Sequence, residues 1–152
     1  MTRRSAGRRG ATERTKTRSR RLCRVRELPY RRLQVWTKAH ELGLAVLELA
    51  ERPPISRAFF LRDQLCSSAM SVPANIAEGS GRGTSVDFAG FLDRARGSLF
   101  ELDMWLYTTQ RRGWLSDEDY DAFAERIHEV NAMLFALRDT LRNRETPARR
   151  NL

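Results

Sequence analysis

The chain has 152 residues, of which 41% are hydrophobic, with two cysteines and a formal net charge of +9. That length supports one domain with a core of its own. Cys23 and Cys66 are too few for a secreted disulfide scaffold, which points to a reducing, cytoplasmic setting. No apolar run of about 18 residues offers a membrane span, and residues 1–32 lack the apolar stretch of a secretory signal.

The charge is unevenly placed. Residues 1–32 hold 13 of the 28 basic residues and 2 of the 19 acids, a balance of +11, whereas the rest holds 15 and 17, a balance of −2. This leading arm has too little apolar surface to offset the entropy of ordering and is expected to be disordered. Three readings of it stand side by side. Arg20, Arg21, Arg24, Arg26, Arg31 and Arg32 can contact phosphates and release counterions. The arm can be a solvated tail or upstream sequence that is not normally translated. It can also be an organellar transit peptide, being Arg-rich and acid-poor.

After the arm, apolar periodicity predicts four helices over residues 33–144, followed by a short tail, 145–152. The first spans about Leu33 to Glu51. One stripe is Leu33, Trp36, His40, Gly43, Leu47 and Ala50, and beside it runs Val35, Ala39, Leu42, Val46 and Leu49. Pro53 and Pro54 stop it. The second spans about Arg57 to Glu78, with Leu61, Leu65, Ala69, Val72 and Ile76 on one face and Phe60 adding bulk beside them. Pro73 lies inside it and removes the bond to the Ala69 carbonyl, which predicts a kink. Gly79 is expected to close this helix in a left-handed cap before the "SGRG" turn.

Thr84 and Asp87 have the spacing of a capping box and open the third helix. Phe88, Leu92, Ala95, Leu99, Leu102 and Leu106 follow on one face, and Phe91, Phe100, Met104, Trp105 and Tyr107 spread apolar surface beyond it. Arg111 and Arg112 occupy its last turn and Gly113 the position after. The fourth begins at Ser116, with acids in its first turn, and repeats Tyr120, Phe123, Ile127, Val130, Leu134, Leu137 and Leu141 without a break. Four such helices with short links give an all-α, antiparallel up-down-up-down four-helix bundle. Trp36, Trp105, Phe100 and Tyr107 exceed what one bundle core holds, so a homo-oligomer is expected.

Several chemistries fail on pattern. "GSGRG" has no strand before it and no G-K-[ST], so neither a dinucleotide loop nor a P-loop fits. Glu125 and His128 form one E-x-x-H, but at 100° per residue they lie about 160° and 100° from the stripe residue Ile127. His40 has no carboxylate three residues before it, so the second motif of a di-metal bundle is missing. Ser67, Ser68, Ser71 and Cys66 have no patterned histidine to activate them. No enzyme activity, cofactor or metal is expected. Asn75 and Glu78 share one side of the end of the second helix. Asn75 is expected to be partly buried, with the Ala69 carbonyl, a neighbouring helix end, Arg82 or Arg94 as partners.

These residues carry a resemblance. Leu33-Gln-Val-Trp36, Ala39-His40, Gln64-Leu65, Ser71-Val-Pro73-Ala-Asn75-Ile-Ala-Glu78-Gly79-Ser-Gly81-Arg82 and Phe88-x-x-Phe91-Leu92 with Gly97-Ser98 and Glu101-Leu102 follow one another in order. Together they resemble the four-helix bundle proteins first seen in intervening sequences of bacterial large-subunit ribosomal RNA genes. The resemblance implies a bacterial, cytoplasmic, all-helical protein that assembles as a homopentameric barrel. It also links the chain to the accessory protein of diversity-generating retroelements, a pentamer that binds nucleic acid and a reverse transcriptase. It assigns no catalytic residues. Trp36, Pro73, Asn75, Glu78, Gly79 and Arg82 are its signature positions here, read as structural. The body of this chain, unlike that of the retroelement proteins, is not basic, so phosphate contacts would fall to the arm or to Arg111 and Arg112. Two functions follow: an oligomeric scaffold that binds RNA or DNA, or a protein-binding adaptor.

Overall fold

The structure, a computed structural model, describes residues 27–145. It is all-α: α1 is Gln34–Ala50, α2 Phe59–Ser80, α3 Ser85–Arg111 and α4 Asp117–Glu145, with short 3-10 turns at Pro29–Arg32 and Ile55–Arg57. No strand occurs among the described residues. Each helix starts and stops within two or three residues of where its apolar period does.

Local chemistry explains the boundaries. After Pro53 and Pro54 the chain makes the 3-10 turn Ile55–Arg57 before α2 begins, and buries Ile55 there. The Thr84 hydroxyl accepts from the Asp87 N–H at 3.1 Å and donates to the Asp87 carboxylate at 2.7 Å, so one side chain satisfies an orphan donor of α3. Ser116 does the same for α4 through the Asp119 N–H, at 3.0 Å. Gly113 has a φ of 71°, and α3 ends in a Schellman motif. In it the Trp114 N–H reaches the Thr109 carbonyl at 3.1 Å, and the Gly113 N–H reaches that of Gln110 at 2.8 Å.

α3 is the centre of the assembly. Its Leu92, Leu99, Leu102 and Leu106 are fully enclosed, and it packs on α2 on one side and α4 on the other. α1 packs on α2, and its contact with α4 is thinner. The core joins Val35, Ala39, Leu42 and Val46 of α1 with Leu65, Val72 and Ile76 of α2 and Ile127, Val130 and Leu134 of α4. Polar links cross between helices at the rim. Asp93 lies 2.7 Å from Arg138 and 2.8 Å from Arg142. Arg96 donates to Asn131 at 3.1 Å, Tyr120 to Asp103 at 3.2 Å, and Gln110 to Asp117 at 2.8 Å. Lys38 and Glu129 pair across α1 and α4 at 3.0 Å.

Two expectations change. Phe60 adds no bulk to the core: it is 69% exposed, because it lies in the first turn of α2 where Leu61 faces inward. The apolar surplus expected on α1 is largely covered within the chain. Trp36 and Leu33 pack against the core, which leaves Leu44 as the exposed large apolar side chain of that helix. On α3 the surplus remains: Phe100, Met104 and Tyr107 stay about half exposed. Thr84→Ala should lower stability by about 1 kcal/mol, as urea denaturation would read it; an unchanged midpoint would mean the cap contributes nothing.

Candidate functional site

Apart from Trp36, which lies on α1, the sequence signature falls at the C-terminal part of α2 and the turn into α3. Pro73 is buried in α2, and its ring removes one helix bond at the Ala69 carbonyl. α1 comes close at that point: a Cβ added to Gly43 would lie 2.9 Å from the Met70 sulfur and 3.5 Å from the Ala69 carbonyl oxygen. Asn75 is half-buried, as expected, but its partner differs. The amide donates to the Ser71 carbonyl at 2.8 Å and the Ser71 hydroxyl at 3.1 Å, one turn back on its own helix. Ser71 in turn accepts from the Ser98 hydroxyl at 2.9 Å. The clamp between α2 and α3 is therefore a chain of three small polar side chains, Asn75, Ser71 and Ser98.

Gly79 corrects the sequence reading more sharply. It lies inside α2, buried, and is not a left-handed cap; Gly113 is the positive-φ glycine among the described residues. A Cβ at Gly79 would sit 2.6 Å from the Phe91 Cβ and 2.7 Å from a Phe88 ring carbon. The glycine is there so that α3 can come close. Beside it Glu78 pairs with Arg82 one turn on. The guanidinium carbons of Arg82 and Arg94 both lie 4.7 Å from the Phe91 ring. These groups pack and pin α2 and α3.

Trp36 is half-buried, edge-on to Tyr30 at 4.8 Å and stacked on His40 at 4.8 Å and 12°. Tyr30 belongs to the turn Pro29–Arg32, so the end of the arm packs on the bundle, with Arg31 and Arg32 exposed beside it. Arg20, Arg21, Arg24 and Arg26 lie outside the described residues. Arg111 and Arg112 lie at the other end of α3, where Arg112 faces the start of α2. The structure thus separates them from the turn that holds Arg31 and Arg32, whose Tyr30 lines a pocket with Pro73. From Phe60 to Pro73 alone the rise along α2 is about 20 Å.

Burial pushes the Cys66 thiol up from its ordinary value, the reverse of what an activated nucleophile needs. Glu125 and His128 are both exposed, on the side away from the core, as their angles to Ile127 required. No cluster of three metal-ligating side chains occurs among the described residues, and no helix there is long and apolar enough to cross a membrane.

Residues 31–136 match the 23S rRNA-intervening sequence protein family. The chain belongs to this family. Every signature residue from Trp36 to Arg82 falls inside the matched span. A solved protein of unknown function, from the S23 ribosomal protein family of Bacteroides thetaiotaomicron VPI-5482, has the same fold. The TM-score is 0.62 at 23% identity, over 68% of this chain and 96% of that one. No curated protein matches.

The residues that sequence reasoning missed in this family member are Ser71 and Ser98 as a bridge, and an aromatic group at the far end of α3: Phe59, Phe60 and Trp114. For the aromatic group the available signal was position, at helix boundaries flanked by arginines. Gly79→Ala should cost about 1–3 kcal/mol through overpacking. Gly90→Ala, with nothing within 4 Å, should gain about 0.5–1 kcal/mol. Thermal melts of the two variants would check this, and equal effects would refute the close-approach reading.

Proposed function

We propose that this protein is a non-catalytic, cytoplasmic helical scaffold that assembles as a homo-oligomer, a pentamer by its family resemblance, and binds RNA or DNA through phosphate contacts. The observation that carries the nucleic-acid reading is the split of charge, +11 over residues 1–32 against −2 over the rest. A polycation attached to a near-neutral body attracts a polyanion without destabilising the body.

Two structural features support the scaffold. The links between α3 and α4 run in opposite directions along the chain, since Asp93 meets Arg138 and Gln110 meets Asp117. That pattern supports antiparallel, up-down-up-down packing. Phe100, Met104 and Tyr107, spaced four and three apart, leave a half-exposed apolar face on α3. Large side chains in such a row suit the core of an interface between copies.

Light scattering should give a mass several times the 17.6 kDa protomer. Replacing both Phe100 and Tyr107 with Ser should reduce it to one protomer with helicity retained; a monomeric parent at micromolar concentration would remove the scaffold.

Mixed-sequence RNA should bind with affinity that falls about 10³- to 10⁵-fold between 50 and 200 mM salt if the arm makes 6–10 phosphate contacts. A chain beginning at residue 27, which keeps Tyr30 on Trp36, should lose most of that binding. No binding at low salt would leave the protein-binding adaptor in its place.

A further inference from the structure

The end of the bundle where α2 begins and α3 stops carries an open groove of about 530 Å³. That is within the range of about 300–1,000 Å³ usual for small-molecule sites. Phe59, Phe60, Trp105, Trp114 and Arg112 dominate its wall, and no carboxylate lines it. The Schellman end of α3 turns Trp114 into place, and the Arg112 guanidinium carbon sits 4.1 Å from its ring. Phe60 meets Trp105 edge-on at 5.5 Å and 81°, which leaves Phe60 69% exposed. Phe59 is 67% exposed, and the Arg62 guanidinium carbon lies 5.1 Å from its ring.

We propose that this groove is a stacking platform for single-stranded nucleic acid. The inference rests on the nucleic-acid reading above and gives the bundle itself a share in it. Rings with exposed faces supply stacking surface for bases of any sequence, and flanking arginines supply the phosphate contacts. Charge chooses the occupant. Arg57, Arg111 and Arg112 have no carboxylate within ion-pair distance among the described residues. One carboxylate borders the groove, that of Glu101, which accepts from the Trp105 indole N–H at 3.5 Å; the apolar face of α3 has both Glu101 and Asp103 interleaved with Phe100, Met104 and Tyr107. The acid-bearing face suits another copy of the chain; the groove, whose lining holds Arg112 and no carboxylate, suits a polyanion.

The test is fluorescence anisotropy with the full-length chain and labelled oligo-dT of about 20 nucleotides. Phe60→Ala should weaken binding roughly 5- to 150-fold, the range of one lost base stack. Phe60→Tyr keeps the ring and should bind like the parent, whereas Phe60→Leu keeps apolar bulk alone and should bind like Phe60→Ala. Arg112→Gln should flatten the slope of log affinity against log salt by about 0.7, one single-strand phosphate. Phe60 is exposed, so these variants should keep the parent's melting temperature. If Phe60→Leu or Phe60→Ala binds as the parent does, the groove is not a stacking site, and any remaining affinity belongs to the arm. If the parent itself does not bind at low salt, the nucleic-acid reading falls with it. A lighter particle for Phe60→Ala at unchanged affinity would assign the groove to a second copy and overturn the proposal.

Discussion

The close approach of α2 and α3 at Gly79 governs the rest of the structure. With no side chain on that residue, the Phe91 Cβ and the Phe88 ring come to a distance that any other residue would block. The approach lets the Ser71 and Ser98 hydroxyls meet at 2.9 Å two turns further along α2. A hydrogen bond of that length fixes axial register as well as separation. The same pairing brings Phe60 against Trp105 at the far end. One missing methyl group and a serine pair thus set how α3 lies on α2. α4 is then held on α3 by enclosed leucines and by rim contacts of modest individual worth.

Much of this was legible in the sequence because it depends on period and on local chemistry. The 3–4 spacing of apolar residues marks the buried face of all four helices, and Thr84, Ser116 and Gly113 act through the backbone groups nearest to them. Such features need no knowledge of what lies across the interface. Gly79 shows where that knowledge becomes necessary. A helix-ending glycine and a close-contact glycine are the same letter, and both exclude a Cβ. Only the presence of Phe91 opposite separates them. Asn75 is a similar case: its half-burial follows from its neighbour Ile76, but its partner could come from several directions, and Ser71 on its own helix is the nearest.

Phe60 and the surplus on α1 failed for a related reason. Period gives the direction of a side chain around its helix but not how far the neighbouring helix extends. At the first turn of α2 the cover ends, so Phe60 reaches water. Beside α1 the cover is fuller than expected, because the turn Pro29–Arg32 folds Tyr30 over Trp36. A basic segment thus ends in an aromatic anchor on the bundle.

Several of the exposed rings have a cation beside them. Arg96 lies 5.8 Å from Phe100 and 5.5 Å from Phe135, Arg138 lies 5.7 Å from Phe135, and Arg62 lies over Phe59. These cations border a surface that would otherwise invite indiscriminate sticking. A newly made protomer can thus stay dispersed before it meets anything. Whatever docks must swing these arginines aside or find a use for their charge, so the cations act as a filter that favours the correct partner over casual contacts.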